Sequence, residues 1–165
     1  MRMGNIVNGF IDWSSLVYTS DQTEISKFLL RKNDLLFNRT NSRELVGKTA
    51  LFRNERDAIY AGYLVRFHLL GDINSHYTNY VMNSTLHRDW CDEVKTDALG
   101  QSNINATKLS KFRFPLPPTS EQQAIVEKVD RLMAKIDALE EQVKSRKANA
   151  GQLMQAVLRE AFNRG

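Results

Sequence analysis

The chain has 165 residues, enough for one compact domain with an extension or for two small units. It is 42% hydrophobic, so a core is within reach, and no apolar run approaches the length of a membrane-spanning helix. Net charge is +4, mildly basic, and the single cysteine, Cys91, excludes a disulfide framework within the chain.

The opening Met1-Arg2-Met3-Gly4-Asn5-Ile6 lacks the apolar core of a secretion signal. With one cysteine, a cytoplasmic location is expected, and the acceptor-type triplets at Asn38, Asn83 and Asn105 then carry no glycosylation meaning. Leu16, Val17 and Tyr18 lead into a turn at Ser20-Asp21, and Ile25, Phe28, Leu29 and Leu30 gather around Lys27. Arg31-Lys32-Asn33-Asp34 reads as a turn, followed by a short strand at Leu35-Leu36-Phe37. Val46–Phe52 reads as a strand starting at a glycine turn, and Ile59-Tyr60-Ala61 with Tyr63–Leu69 as another. Over 74–95 the spacing of Tyr77, Tyr80, Val81, Leu86, Trp90 and Val94 predicts helix in parts, with Tyr77 and Trp90 in the core. Leu109, Phe112, Phe114 and Leu116 suggest a docking segment and a final strand, giving an α+β domain.

All three prolines lie at 115, 117 and 118, marking a boundary between a domain over 1–118 and an extension over 119–165. Thr119 or Ser120 can cap a helix beginning there, with Gln123 placed as in a capping box. Then comes a heptad seam: Ile125, Val129, Leu132, Ile136, Leu139 and Val143, flanked by charges. The same phase continues through Arg146, Ala150, Leu153 and Val157. We expect one helix over about 120–162, on the order of 60 Å long. A hairpin broken near 144–151, where Gly151 weakens the helix, is the alternative. A narrow stripe on so long a helix needs another helix, which the same segment of a second copy would supply.

Charge is concentrated in two segments. Residues 27–56 carry eight basic against three acidic residues, a net +5, and residues 103–114 add Lys108, Lys111 and Arg113 with no acid. Between them, 89–97 is acidic. Such a distribution suits either a nucleic-acid surface or a solvated mixed-charge face. No catalytic constellation is readable, and no cofactor or metal is expected. His68, His76 and His87 lack ligand spacing, and Asp12, Asp72 and Asp92 read as solvated. Gly47-Lys48-Thr49 resembles the tail of a phosphate loop, but Ser42 stands where its first glycine belongs and the segment precedes a strand.

Two polar segments carry the binding chemistry. Phe37–Glu44 holds Asn38, Arg39, Thr40, Asn41, Ser42 and Arg43, and Gly100–Lys108 holds Asn103, Asn105 and Lys108. Arginine forks fit guanine edges or phosphate, and asparagine fits adenine. The same residues equally suit loops whose amides and hydroxyls bond their own backbone.

At these segments the chain resembles the DNA-specificity subunit of type I restriction-modification systems. The matching pieces are Arg2–Ile6, Leu35–Ser42 with Val46-Gly47-Lys48, Gly100–Asn105, Phe114–Ile125 as FPLPPTSEQQAI, and Leu158–Phe162. The resemblance implies non-catalytic recognition of double-stranded DNA. In that family two target-recognition domains are spaced by two long antiparallel helices, which dock modification subunits that methylate adenine. A translocase subunit can join for cleavage. This chain has one such domain and one helix, about half of a usual subunit, and starts later than the family norm. Pairing of two copies would imitate the whole and imply a palindromic split target. On this reading Arg39, Asn41 and Arg43 contact bases or phosphates, with Thr40 and Ser42 beside them, and Lys48, Lys108 and Lys111 contact phosphates. Asn38, Asn103 and Asn105 contact DNA or hold loops near the helix junction. The seam residues, with Leu153 and Val157, form the interface of a coiled-coil dimer, which the resemblance implies to be antiparallel. The competing reading is a protein-interaction module without DNA affinity of its own.

Overall fold

The computed structural model of the protein describes residues 1–162, and its fold is α+β. The chain divides into a unit over Met1–Gln123 and a second from Ala124 onward. None of the helices among the described residues is long and apolar enough to cross a membrane.

The first unit is built on the continuous apolar run at Leu35. Strand β3 (Leu35–Asn38) is buried along its whole length, as such a run requires. It is the middle of an antiparallel sheet between β5 (Thr49–Leu51) and β6 (Leu64–Phe67), pairing Leu36 with Ala50 on one side and with Arg66 on the other. Because side chains alternate along a strand, Leu36 and Phe37 feed two cores. Leu36 joins Ile6, Ile11, Leu30, Ala50, Phe52 and Leu64, with the hairpin β1 (Ile6–Val7) and β2 (Phe10–Ile11) contributing to that side. Phe37 joins Val46, Met82, Cys91, Ile104 and Phe112.

The strand expected over Val46–Phe52 is shorter at its start. Ser42–Gly47 forms a turn in which the Val46 N–H donates to the Ser42 carbonyl, and Gly47 leaves it at φ +90°. The strand expected over Tyr63–Leu69 contracts to β6, and Ile59 makes a single bridge to Leu29. Helix α1 (Gln22–Phe28) has no counterpart among the expected elements. Asp21 caps it by accepting from the Thr23 and Glu24 amides. The region 74–95 forms α2 (Ser75–Val81) and α3 (Thr85–Val94), with Tyr77 buried and Trp90 half-buried.

The final strand expected near 109–116 is absent. Leu109 ends the short helix α4 (Ala106–Leu109), and the segment after it is extended but unpaired. Proline has no N–H to donate to a ladder, so this segment is held by rings instead. Phe112 lies 4.9 Å from Trp90 and 5.7 Å from Phe114, and the Tyr77 hydroxyl donates to the Pro115 carbonyl at 2.7 Å.

His87 sits inside this cluster, 4.9 Å from Phe112 and 6.0 Å from Phe37 between ring centres, with the Cys91 sulfur 3.5 Å from its Nε2. Burial, reinforced by the Arg88 guanidinium, lowers its pKa to about 4. The unfolded chain therefore binds a proton at His87 below about pH 6.5, while the folded chain does so only near 4. Stability is expected to fall as pH drops through that window, by about 3 kcal/mol from this group. Urea midpoints at pH 7 and pH 4.5 check it: His87→Phe should remove that part of the loss, and an equal loss in both proteins would refute it.

Helix α5 (Thr119–Phe162) is continuous, so the expected single helix is observed and the hairpin alternative is not. Its first turn is tied within the first unit. Asn74, which caps α2, donates its backbone N–H to Gln122 Oε1 at 2.8 Å and its side-chain amide to Gln123 Oε1 at 3.1 Å. Gln122 also donates to the Pro117 carbonyl.

Candidate nucleic-acid interface

The two polar segments singled out in the sequence become neighbours. Strand β4 (Thr40–Asn41) pairs antiparallel with β8 (Gln101–Asn103), which pairs in turn with β7 (Thr96–Ala98). Thr40 lies opposite Asn103 and Asn41 opposite Ser102. The Asn103 amide donates to Thr40 Oγ1 at 2.7 Å, and the Ile104 N–H donates to the Arg39 carbonyl. Ile104, fully buried, anchors β8 in the second core. Arg39, Thr40, Asn41, Ser42, Arg43 and Asn103 are therefore brought onto or beside one small sheet.

Their side chains divide by what they already bind. Arg43 is exposed, with Nη1 3.7 Å from Asp97. Asp97 also accepts from the Ser102 hydroxyl. Asn41 accepts from the Ser42 N–H. Lys95 donates to the Arg43 carbonyl and to Asp92, whose carboxyl it holds below the usual carboxylate range. Lys108 donates to the Val94 carbonyl and to Thr96 Oγ1, so its ammonium braces the end of α3. Asn105 caps α4 by accepting from the Lys108 N–H, a loop-holding role. Lys48 is half-buried, and its carbonyl accepts from the Asn38 N–H. Lys111 is exposed beyond α4, outside the ladder.

Asn38 and Arg39 differ from the rest. Asn38 is fully buried, yet neither its side-chain nitrogen nor its oxygen has a hydrogen-bond partner among the described residues. Arg39 Nε is likewise buried and unpaired, though the residue is partly exposed. A buried amide without partners costs about 1–3 kcal/mol.

In the sequence Arg53 and Arg56 register only as charge. In the structure the Arg53 guanidinium lies 4.8 Å over the Phe10 ring and Arg56 4.8 Å over Trp13. Stacking orders the side chain while leaving N–H edges for an anion. These arginines follow β5, whereas β4 follows β3. Antiparallel pairing of those strands puts the two basic groups at opposite ends of the central sheet. No local signal could have found them, because the rings belong to Phe10 and Trp13, far back in the chain.

The fold thus sets a small antiparallel sheet carrying arginines, amides and hydroxyls on a mixed α+β core. The model of the type I restriction modification DNA specificity domain matches residues 1–146, and the chain belongs to that family. It is 30% identical over 145 residues to the type I restriction enzyme StySPI specificity subunit of Salmonella potsdam, covering 86% of this chain and 31% of the relative. It is 28% identical over 166 residues to the EcoKI specificity subunit of Escherichia coli K12, covering 98% and 36%. A putative MjaX specificity subunit of Methanocaldococcus jannaschii is 30% identical over 128 residues, covering 75% and 30%. The chain thus spans about a third of the length of these curated relatives. A solved chain from work on complex assembly and conformational transition of the type I R-M system superposes with a TM-score of 0.70 at 19% identity. It covers 98% of this chain and 37% of its own length, a likeness of fold.

Proposed function

We propose that the chain recognises double-stranded DNA as a non-catalytic specificity component of a type I restriction-modification complex. It acts as a half-subunit that dimerises through α5 and directs an adenine methyltransferase subunit to a two-part site, with a translocase subunit joining for cleavage. The observation that carries this reading is the family match over residues 1–146. The pairing of β4 with β8 supports it by setting the two polar segments side by side. Arg39, Asn41 and Arg43 meet bases or phosphates. Asn103 orients Thr40, and Lys48 and Lys111 add phosphate contacts at the margins. Two copies related by a two-fold axis present the same reading surface twice, which calls for a palindromic split target.

The test is binding of the purified chain to split palindromic duplexes, with and without the modification subunit, across a salt series. Affinity is expected to fall steeply with salt, because phosphate contacts release counterions. Arg39→Ala and Arg43→Ala should each weaken specific binding by about 1–3 kcal/mol. Binding that is absent or salt-insensitive in both settings would overturn the proposal.

The second reading, a protein-interaction module without DNA affinity of its own, is favoured by the internal pairing of Arg43 with Asp97 and of Lys108 with the end of α3. Loss of DNA selectivity on Arg39 and Arg43 substitution, with the oligomer intact, would exclude it.

A further inference from the structure

Arg43 is held from both ends. Lys95 donates to its backbone carbonyl at 3.2 Å, and Arg88 donates to the carbonyls of Glu44 and Val46, so α3 and its C-cap brace the turn that carries it. Its guanidinium faces a carboxylate that is itself fixed. Ser102, 1% exposed, donates its hydroxyl to Asp97 Oδ1, and Asp97 Oδ2 lies 3.7 Å from Arg43 Nη1. One oxygen of Asp97 is thus pinned to a buried hydroxyl, and the other is turned to the guanidinium.

Strand register sorts the neighbouring groups into two rows. Asn41, Ser102 and Asp97 are partners across β4, β8 and β7, and Thr40, Asn103 and Thr96 form the adjacent row. Side chains of adjacent residues in a strand point to opposite faces, so the two rows lie on opposite sides of the small sheet. The Thr40 row is tied up by its own hydrogen bonds: Asn103 donates to Thr40, and Lys108 donates to Thr96. The Asn41 row is the one that Arg43 reaches, at Asp97, and there the two charged side chains are 70% and 51% exposed.

An ion pair this exposed and this long contributes little to stability. A carboxylate on a surface that meets phosphates also repels them. Stability and phosphate affinity are therefore both poor reasons for Asp97. Base edges are different, because they offer donors as well as acceptors. Guanine O6 and N7 accept from an arginine fork, while cytosine N4 and adenine N6 donate to carboxylates. A guanidinium steadied by a carboxylate is a preformed fork, which gives up less rotamer freedom on binding.

We infer that Asp97 is a specificity-determining residue. It holds the Arg43 fork ready for a guanine edge and keeps that fork off the phosphates. Arg43 reads the base, and Asp97, with Ser102 behind it, is the positioning residue. This rests on the DNA-recognition reading above and narrows the ligand of Arg43 from base or phosphate to base.

Selection from a library of randomised duplexes tests it, using the full chain with the modification subunit present. The unaltered chain should recover a motif. Arg43→Lys, which keeps the charge but not the fork, should lose a guanine at one position. Asp97→Asn should relax that same position, lowering the preference for guanine by about tenfold. It should also bind an unrelated duplex more tightly, with a salt slope steeper by about one counterion, because the released guanidinium turns to a phosphate. Ser102→Ala should move both readouts in the same direction and less far. A motif unchanged by Asp97→Asn, with tighter binding to every duplex, would make Asp97 a mere counter-charge and overturn the inference. Weaker binding to every duplex, with a lower urea midpoint, would overturn it in favour of a structural role. So would a motif in which Arg43→Lys alters no position. If the unaltered chain recovers no motif at all, the DNA-recognition reading itself falls, and this inference with it.

Discussion

Replacing Gly47 by alanine is expected to cost about 3–5 kcal/mol, enough to leave a domain of this size marginal at room temperature. Two effects add. Gly47 has φ +90°, a left-handed conformation that an L side chain adopts only under strain. A Cβ built there would also stand 2.4 Å from the Cys91 sulfur, and Cys91 is 1% exposed, packed against His87 with little room to retreat. A double-mutant cycle in urea separates the effects. Gly47→Ala in a Cys91→Ala background should regain the steric part and leave a residual of about 1–2 kcal/mol from the backbone. If Gly47→Ala does not fold, the comparison of the double variant with Cys91→Ala still reports the backbone part. An unchanged midpoint for Gly47→Ala would mean that the Ser42–Gly47 turn does not press on α3. The same burial pushes the Cys91 thiol up to about 12, so it remains a packing group rather than a nucleophile at neutral pH.

The second large effect concerns the seam. Leu132 and Leu139 are 49% and 59% exposed in the single chain. In a paired helix each would bury most of that area, contributing roughly 1.5 kcal/mol or more. Leu132→Glu with Leu139→Glu removes four such contributions from a dimer and places four carboxylates in its middle. Self-association is expected to weaken by at least about a thousandfold, giving a monomer by light scattering at micromolar concentration. Helical ellipticity should fall as well, because isolated helices are marginal in water. The unit over Met1–Gln123 should keep its fluorescence from Trp13 and Trp90. A dimer that survives both substitutions would show that the heptads do not form the interface.

Elements held by local forces are legible in the sequence, and those held by distant ones are not. The strand at Leu35-Leu36-Phe37 is a continuous apolar run, buried from both sides, and reads directly. So does α5, where a long unbroken seam outweighs the roughly 1 kcal/mol cost of Gly151. Helix α1 escapes because none of its residues is buried and its only strong mark is the Asp21 cap. The strand expected at Phe112–Leu116 fails because the prolines, which remove the donors a strand needs, outweigh the aromatic periodicity. Site chemistry can be named residue by residue, but its assembly cannot. The pairing of Thr40 with Asn103 and the stacking of Arg53 on Phe10 join segments far apart in the chain, and Lys108 braces the end of α3 only because β7 and β8 turn back on each other.

The passage from β3 to β4 has a mechanical consequence. Within a few residues the backbone leaves a four-residue strand sealed in two cores and enters a ladder in which only Thr40 and Asn41 are paired. Burial therefore falls after Asn38, and the chain beyond it is held by the Ile104 N–H on the Arg39 carbonyl and by the pairing of Thr40 with Asn103. Local opening is cheap where few buried contacts must break, so the Thr40–Asn41 pairs are expected to open before the central strand does. If that edge reads DNA as proposed, it is expected to adjust to groove shape while the central strand stays in place.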